Sequence, residues 1–118
     1  MNDLNEFMAV KVMGWVSVSR MPDWNTCIYR MCNKPYSDVM NVNDWNPVED
    51  IAQSIMCRDK FLMDNPTYQF SLYSYRNLEN EIINHVYLED GHGNIYESLL
   101  SKLSLGVCSA IKQAVENG

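Results

Sequence analysis

The feature that most constrains this chain is a change of period at Asp64-Asn65-Pro66. Before it, Val48, Ile51, Ala52, Ile55, Met56, Leu62 and Met63 recur at the spacing of one helix face. After it, residues alternate from Thr67 to Tyr75, with Tyr68, Phe70 and Leu72 on one side. Gln69, Ser71, Tyr73 and Tyr75 fall on the other. A helix must therefore hand over to a strand within three residues, and a proline enforces the break.

The elements on either side follow from the same rules. Asn46 is a fitting N-cap for the helix, Pro47 its first residue, and Glu49 completes a capping-box pattern. Glu49 and Asp50 place negative charge at the positive end of the dipole, and Arg58 and Lys60 lie toward the other. Arg76 to Glu81 reads as a polar connection, and Ile82 to Leu88 as a second strand rich in Ile, Val and Tyr. Asp90-Gly91-His92-Gly93-Asn94 is a turn, and Ile95 to Glu97 a return arm.

Toward the N-terminus, Leu4, Phe7, Met8, Val12 and Trp15 form a helical stripe from Asp3 to Trp15. Asn2 or Asp3 can cap it, and Gly14 suits a left-handed stop. Val16 to Ser19 reads as a short strand or an extended exit from the helix. Met21 to Asn46 is the least regular stretch, with a further short strand from Thr26 to Arg30. A C-terminal helix starts at Leu99 or Leu105 and runs to Glu116, with Leu100, Leu103, Val107, Ala110, Ile111 and Ala114 in phase. Gly106 inside it predicts a close approach of helix to sheet. Three helices and a small, mostly antiparallel sheet cover each other's apolar faces best as a layered α/β sandwich, an α+β fold. Residues 1–118 are too few for two independent cores, so they read as one domain.

Charge and cysteine usage narrow the function classes. Lys and Arg number 9 and Asp and Glu 15, a net charge of −6. Such a balance opposes non-specific nucleic-acid binding and an anionic membrane surface as partner. Met1 to Glu6 is acidic and polar, unlike a secretory leader, and no apolar run spans a bilayer. The expectation is an intracellular protein with Cys27, Cys32, Cys57 and Cys108 reduced. Cys57 and Cys108 read as small core residues. Cys27 and Cys32 lack zinc-ligand spacing, and His85 and His92 form no short ligand pair with a cysteine. Asp90-x-His92-x-Asn94 lacks the further acids of a calcium loop. Glu79, Glu81, Glu89 and Asp90 read as solvated charges at turns and strand ends rather than an acid–base pair. No nucleophile elbow or glycine-rich phosphate loop is present. The chain is expected to be no enzyme and to need no metal or cofactor.

Aromatic residues are the candidate contacts. Trp24, Tyr36 and Trp45 lie in or beside the irregular stretch. Trp45 precedes a helix N-terminus, where it can stack a base beside a bound phosphate, or else act as a hydrophobic staple against Ile51 or the core. Tyr73, Tyr75 and Arg76 form a second candidate surface, as partner contacts or as a sheet face covered by a helix.

Three stretches resemble the phage ABA sandwich domain family. They are Ala9-Val10-Lys11-Val12-Met13-Gly14-Trp15, Trp45-Asn46-Pro47-Val48-Glu49-Asp50-Ile51-Ala52 and Leu105-Gly106-Val107-Cys108-Ser109-Ala110-Ile111. The chain departs from the family pattern at Val48, where Ser is expected, and at Gly106 and Val107, where Ala and Ile are. The resemblance implies a phage or prophage origin, a host-cytoplasmic location and a mixed α/β sandwich, and brings no reaction. The expected function is a binding protein that interferes with a host system, blocking a host protein or sequestering a small nucleotide-like ligand. The alternative is a structural or assembly accessory of the phage. A thin sandwich also leaves apolar surface for a homo-oligomer to cover.

Overall fold

The computed structural model describes residues 3–19, 27–30, 39–41 and 44–117. The first helix, α1, spans Asp3–Phe7 and continues as a π-helical turn over Met8–Val12. Asp3 lies inside the helix, and Asn2, the other candidate cap, lies outside the described residues. Met13 N–H donates to Met8 O at 2.9 Å, and Trp15 N–H reaches Ala9 O at 2.9 Å. The chain can close this way because Gly14 adopts φ +75°. The helix therefore stops short of Trp15. The wider turn carries Ala9 into the core with Met8, Val12 and Trp15, while Leu4 and Phe7 are only partly covered.

Two three-stranded antiparallel sheets follow. The first joins β1 (Val16–Ser19), β2 (Cys27–Arg30) and β3 (Val39–Asn41). Val16 pairs with Arg30, and Ile28 with Asn41. β3 falls in the stretch that reads as irregular, because three residues are too few to show alternation. The second sheet has β4 (Gln69–Arg76), β5 (Ile82–Glu89) and β6 (Ile95–Leu100), with β5 in the middle. β6 runs past the expected Glu97, so Leu100 belongs to the sheet. The last helix begins at Leu103, between the two expected starts.

Helices α2 (Ile51–Asp64) and α3 (Leu103–Asn117) complete the α+β sandwich. α3 lies on the face of the second sheet that carries Val86 and Leu88, both fully buried, and α2 packs on α3. Gly106 is the contact point. A Cβ there would stand 3.1 Å from Ser98 Oγ and 3.5 Å from Val86 Cγ2. Ser98 Oγ–H donates to Gly106 O at 2.8 Å, tying strand to helix.

α2 departs from expectation in two ways. It starts at Ile51, with Asp50 in extended conformation as N-cap and its carboxylate accepting Gln53 N–H at 3.1 Å. Asn46 and Pro47 form a preceding turn instead, in which Asn46 O accepts both Glu49 N–H and Asp50 N–H. The Gln53 side chain grips that turn, accepting from Asn46 N–H and donating to Asp44 O. Glu49 is no capping-box partner. Its carboxylate pairs with Lys102, at the start of α3. The buried face of α2 is also not the apolar stripe. Ser54, Cys57 and Phe61 point inward, while Ile51, Met56 and Met63 are exposed, Met63 by 80%. The buried side chains of α2 are thus two small ones and one aromatic, and not its methionines.

One buried amide joins the N-terminal helix to the turn before α2. Asn5 Nδ2 donates to Asn46 Oδ1 at 2.9 Å, and Asn5 Oδ1 accepts Val48 N–H at 3.1 Å. Asn5 O accepts Trp45 Nε1–H at 2.8 Å, and Val48 O accepts Ser104 Oγ–H from α3. Among the described residues, every buried side-chain nitrogen and oxygen has a partner.

Two outcomes follow from this packing. Asn5→Ala strands the buried Val48 N–H and is expected to cost about 2–3 kcal/mol, read from urea midpoints. Gly106→Ala gains about 1 kcal/mol of helix propensity but presses on a hydrogen-bonded serine. It is expected to destabilise the wild type, and to do so less when Ser98→Ala is already present, as a double-mutant cycle would read.

Candidate functional site: the outer face of the second sheet

Alternation along β4, β5 and β6 sends one set of side chains toward α3 and the other set outward. The outward set gathers Tyr73 and Tyr75 from β4, His85 and Tyr87 from β5, and Ile95 and Glu97 from β6. Register brings them together: Tyr73 lies opposite His85, and Tyr87 opposite Glu97. The Tyr73 ring meets His85 edge-on at 4.7 Å between centroids and Tyr87 at 6.3 Å. His85 and Tyr87 are 5.4 Å apart. His85 Nε2–H donates to Glu97 Oε2 at 2.8 Å, which fixes the imidazole in the middle of the cluster.

Helix packing leaves this face uncovered. Tyr73 is 50% exposed, and Tyr75, Ile95 and Leu99 are exposed to a similar degree. A shallow cavity of about 280 Å³ opens between Tyr73, His85, Tyr87, Glu89, Ile95 and Glu97. Its ring faces are negative by quadrupole, its carboxylates by charge, and among the described residues neither Lys nor Arg lines it. Such a surface suits a guanidinium or ammonium group set in an apolar surround.

Of the residues singled out from sequence, the structure brings Tyr73 and Tyr75 onto this face. Arg76 does not join them. It sits one position further, on the opposite side of the strand, and its Nη1 donates to Asn80 Oδ1 at 3.0 Å across the β4–β5 turn. Trp45 is a core residue, 1% exposed, with its ring 4.6 Å from that of Trp15 and its indole N–H held by Asn5. No ring face is left on which a base could stack, so the packing alternative describes it. Trp24, Tyr36 and Cys32 lie outside the described residues, and for Cys27 only the backbone is described. His85, Tyr87 and Glu97 are the members that sequence reasoning missed. Their signal was available in the alternation of Ile83, His85 and Tyr87, but only register could show which side they share with Tyr73.

The other chemically suggestive groups are committed elsewhere. The Asp90 carboxylate accepts His92 N–H at 2.7 Å, Asn94 N–H at 3.2 Å and Asn94 Nδ2–H at 2.8 Å. The Asn94 amide, then the His92 N–H, hold its pKa below the usual carboxylate value. These bonds build the turn, in which Gly91 and Gly93 take positive φ. Cys57 and Cys108 are fully buried free thiols. Burial pushes Cys108 up to about 12 and Cys57 further still, with neighbouring Cys108 as a second cause. Among the described residues no group of three His, Cys, Asp or Glu side chains is placed to hold a metal ion. Nor is any described helix long and apolar enough to cross a membrane.

No family model matches the chain, and neither a curated protein nor a solved structure matches it.

The buried thiols give stability a definite pH dependence. Unfolded cysteines lose their protons from about pH 8.5, while the folded ones keep theirs to much higher pH. The native state therefore binds more protons in this window, and stability falls as pH rises, by up to about 1.4 kcal/mol per pH unit for each thiol. Urea midpoints measured from about pH 7.5 to 9, below the tyrosine range, should decline in the wild type. They should decline less steeply in Cys108→Ala.

Proposed function

We propose that this chain is a non-enzymatic binding protein and that the outer face of the second sheet is its contact surface for a basic protein partner. The observation that carries the reading is the open cluster of Tyr73, His85, Tyr87 and Glu97, aromatic and acidic, facing solvent. Exposed aromatic patches of this kind mark interaction sites, and tyrosine is enriched among residues that dominate binding energy. A net charge of −6 favours encounter with a positively charged surface.

The same chemistry argues against the nucleotide-like ligand. A phosphate on this face would meet Glu89 and Glu97, with no Lys or Arg among the described residues that line the cavity to offset them. Arg76, the arginine nearest in sequence to this cluster, is instead bonded to Asn80 across the β4–β5 turn. With the resemblance to phage proteins, the reading becomes a phage or prophage accessory protein that occupies a basic surface of a host protein. A basic nucleic-acid channel is such a surface.

The test is affinity capture from infected or induced cells with the wild type and with Tyr73→Ala/Tyr87→Ala, both checked for folding by circular dichroism. The expected result is a host protein held by the wild type, released by added salt, and held roughly tenfold to a hundredfold less tightly by the variant. Capture that ignores the two substitutions would overturn the assignment of the face. Virion proteins in place of host proteins would make the chain an assembly accessory, and a retained nucleotide mass would restore the small-ligand reading.

A further inference from the structure

A second cavity, of about 370 Å³, lies beside the Asp90–Asn94 turn and is walled by Tyr68 and Tyr96. It is on the helix side of the second sheet. Tyr96 is paired with Leu88, which is fully buried, and directly paired residues share a face. Tyr68, just before β4, packs against the same core. The two phenol rings are 26° from parallel, with centroids 6.4 Å apart. The Phe61 ring meets Tyr68 edge-on at 4.9 Å and fixes its plane. Phe61 and Lys11 line a neighbouring cavity rather than this one.

The polar groups around these rings are mostly acceptors. Asn94 spends an amide N–H on Asp90 Oδ2 at 2.8 Å, and Asn117 spends one on Gln113 O at 2.8 Å. The two amide oxygens are left without a bond among the described residues. Asp90 Oδ2 takes only that one bond, although a carboxylate oxygen has two lone pairs. Asn117 O receives the Tyr96 hydroxyl at 3.4 Å, a long contact that a better donor would displace. His92 is the one lining residue able to carry positive charge, and only on protonation.

We propose that this cavity binds a guanidinium group. Charge selects a cation, because an anion would meet the Asp90 carboxylate, two tyrosine rings with negative faces and the oxygens of two asparagines. Shape selects a flat one, which can lie against a phenol ring. Donor count selects guanidinium over ammonium. Five N–H donors spread in a plane can reach oxygens placed around a ring wall, whereas an ammonium is a compact point charge that holds its water tightly. The group can arrive on a free small molecule or on an arginine side chain of a polypeptide. The cavity shares no residue with the outer face and lies across the sheet from it, so either reading can fail alone.

The test is an amide NMR titration of the isotope-labelled full chain with agmatine and with Nα-acetyl-arginine amide, read at Tyr68, His92 and Tyr96. A Kd near about 1 mM is expected for a probe of this size. Nα-acetyl-lysine amide, with the charge but not the plane, is expected to bind at least about fivefold more weakly. Tyr96→Leu removes one wall and is expected to weaken binding about fivefold to tenfold. Asn117→Ala, at the exposed end of α3, leaves the core alone and is expected to weaken it about threefold. Tyr73→Ala/Tyr87→Ala is expected to leave these shifts unchanged, which separates this cavity from the outer face. Binding of the capped arginine marks a polypeptide as the source, and binding of agmatine alone marks a free small molecule. Silence at the three amides, lysine binding as tightly as arginine, or affinity unchanged in both Tyr96→Leu and Asn117→Ala overturns the proposal.

Discussion

The fold depends on one buried amide. Asn5 donates to Asn46 Oδ1, accepts from Val48 N–H, and lends its own carbonyl to the Trp45 indole. These bonds fix how the N-terminal helix meets the turn that launches α2. Ser104 then ties the same turn to α3 through Val48 O. An apolar residue at position 5 would bury as much surface, but the turn would keep an unsatisfied N–H in a dry site, where such a group costs more than an average hydrogen bond gains. Trp45 packs at a tilt against Trp15, with its N–H end anchored by Asn5 O. The polar knot thus positions the largest hydrophobic contact in the core.

The core is assembled from small contacts where helices meet and large ones at the ends. Ser54 and Cys57 are buried on α2, Cys108 and Ala110 on α3, and Gly106 brings α3 close to the second sheet. This packing fills one side of the second sheet. The other side is left to water. It stays compatible with water because its aromatics carry hydroxyls and His85 is paired with Glu97. The open face and its tyrosines therefore follow from α3 lying on the opposite side of the second sheet.

Much of this was legible in the sequence. The period change at Asp64-Asn65-Pro66, the Asp90–Asn94 turn, the left-handed stop at Gly14 and the close approach at Gly106 each follow from local chemistry, and each is where the sequence places it. What escaped reading was set by tertiary competition. The start of α2 moved because Asp50 and Gln53 form a better cap than Asn46, whose carbonyl the preceding turn requires. Its buried face carries Ser54, Cys57 and Phe61 and not its methionines, which the apolar spacing does not reveal. Tyr73 and Tyr75 were readable as a surface, but His85, Tyr87 and Glu97 come from other strands, and only the register brings them alongside.

The register carries more than the contact face. A slip of one residue between β4 and β5 would send Tyr73 and Tyr75 toward α3 and turn Phe70 and Leu72 to solvent. It would also exchange which backbone groups of β4 are bonded to β5 and which look outward. The chain guards against this at both ends of β5. Asn77 closes one hairpin through Glu81, with its side-chain oxygen accepting the N–H groups of Glu79 and Glu81. Asp90 closes the other through Asn94. Two polar turns thus determine both the composition of the outer face and the phase of the β4–β5 hydrogen bonds.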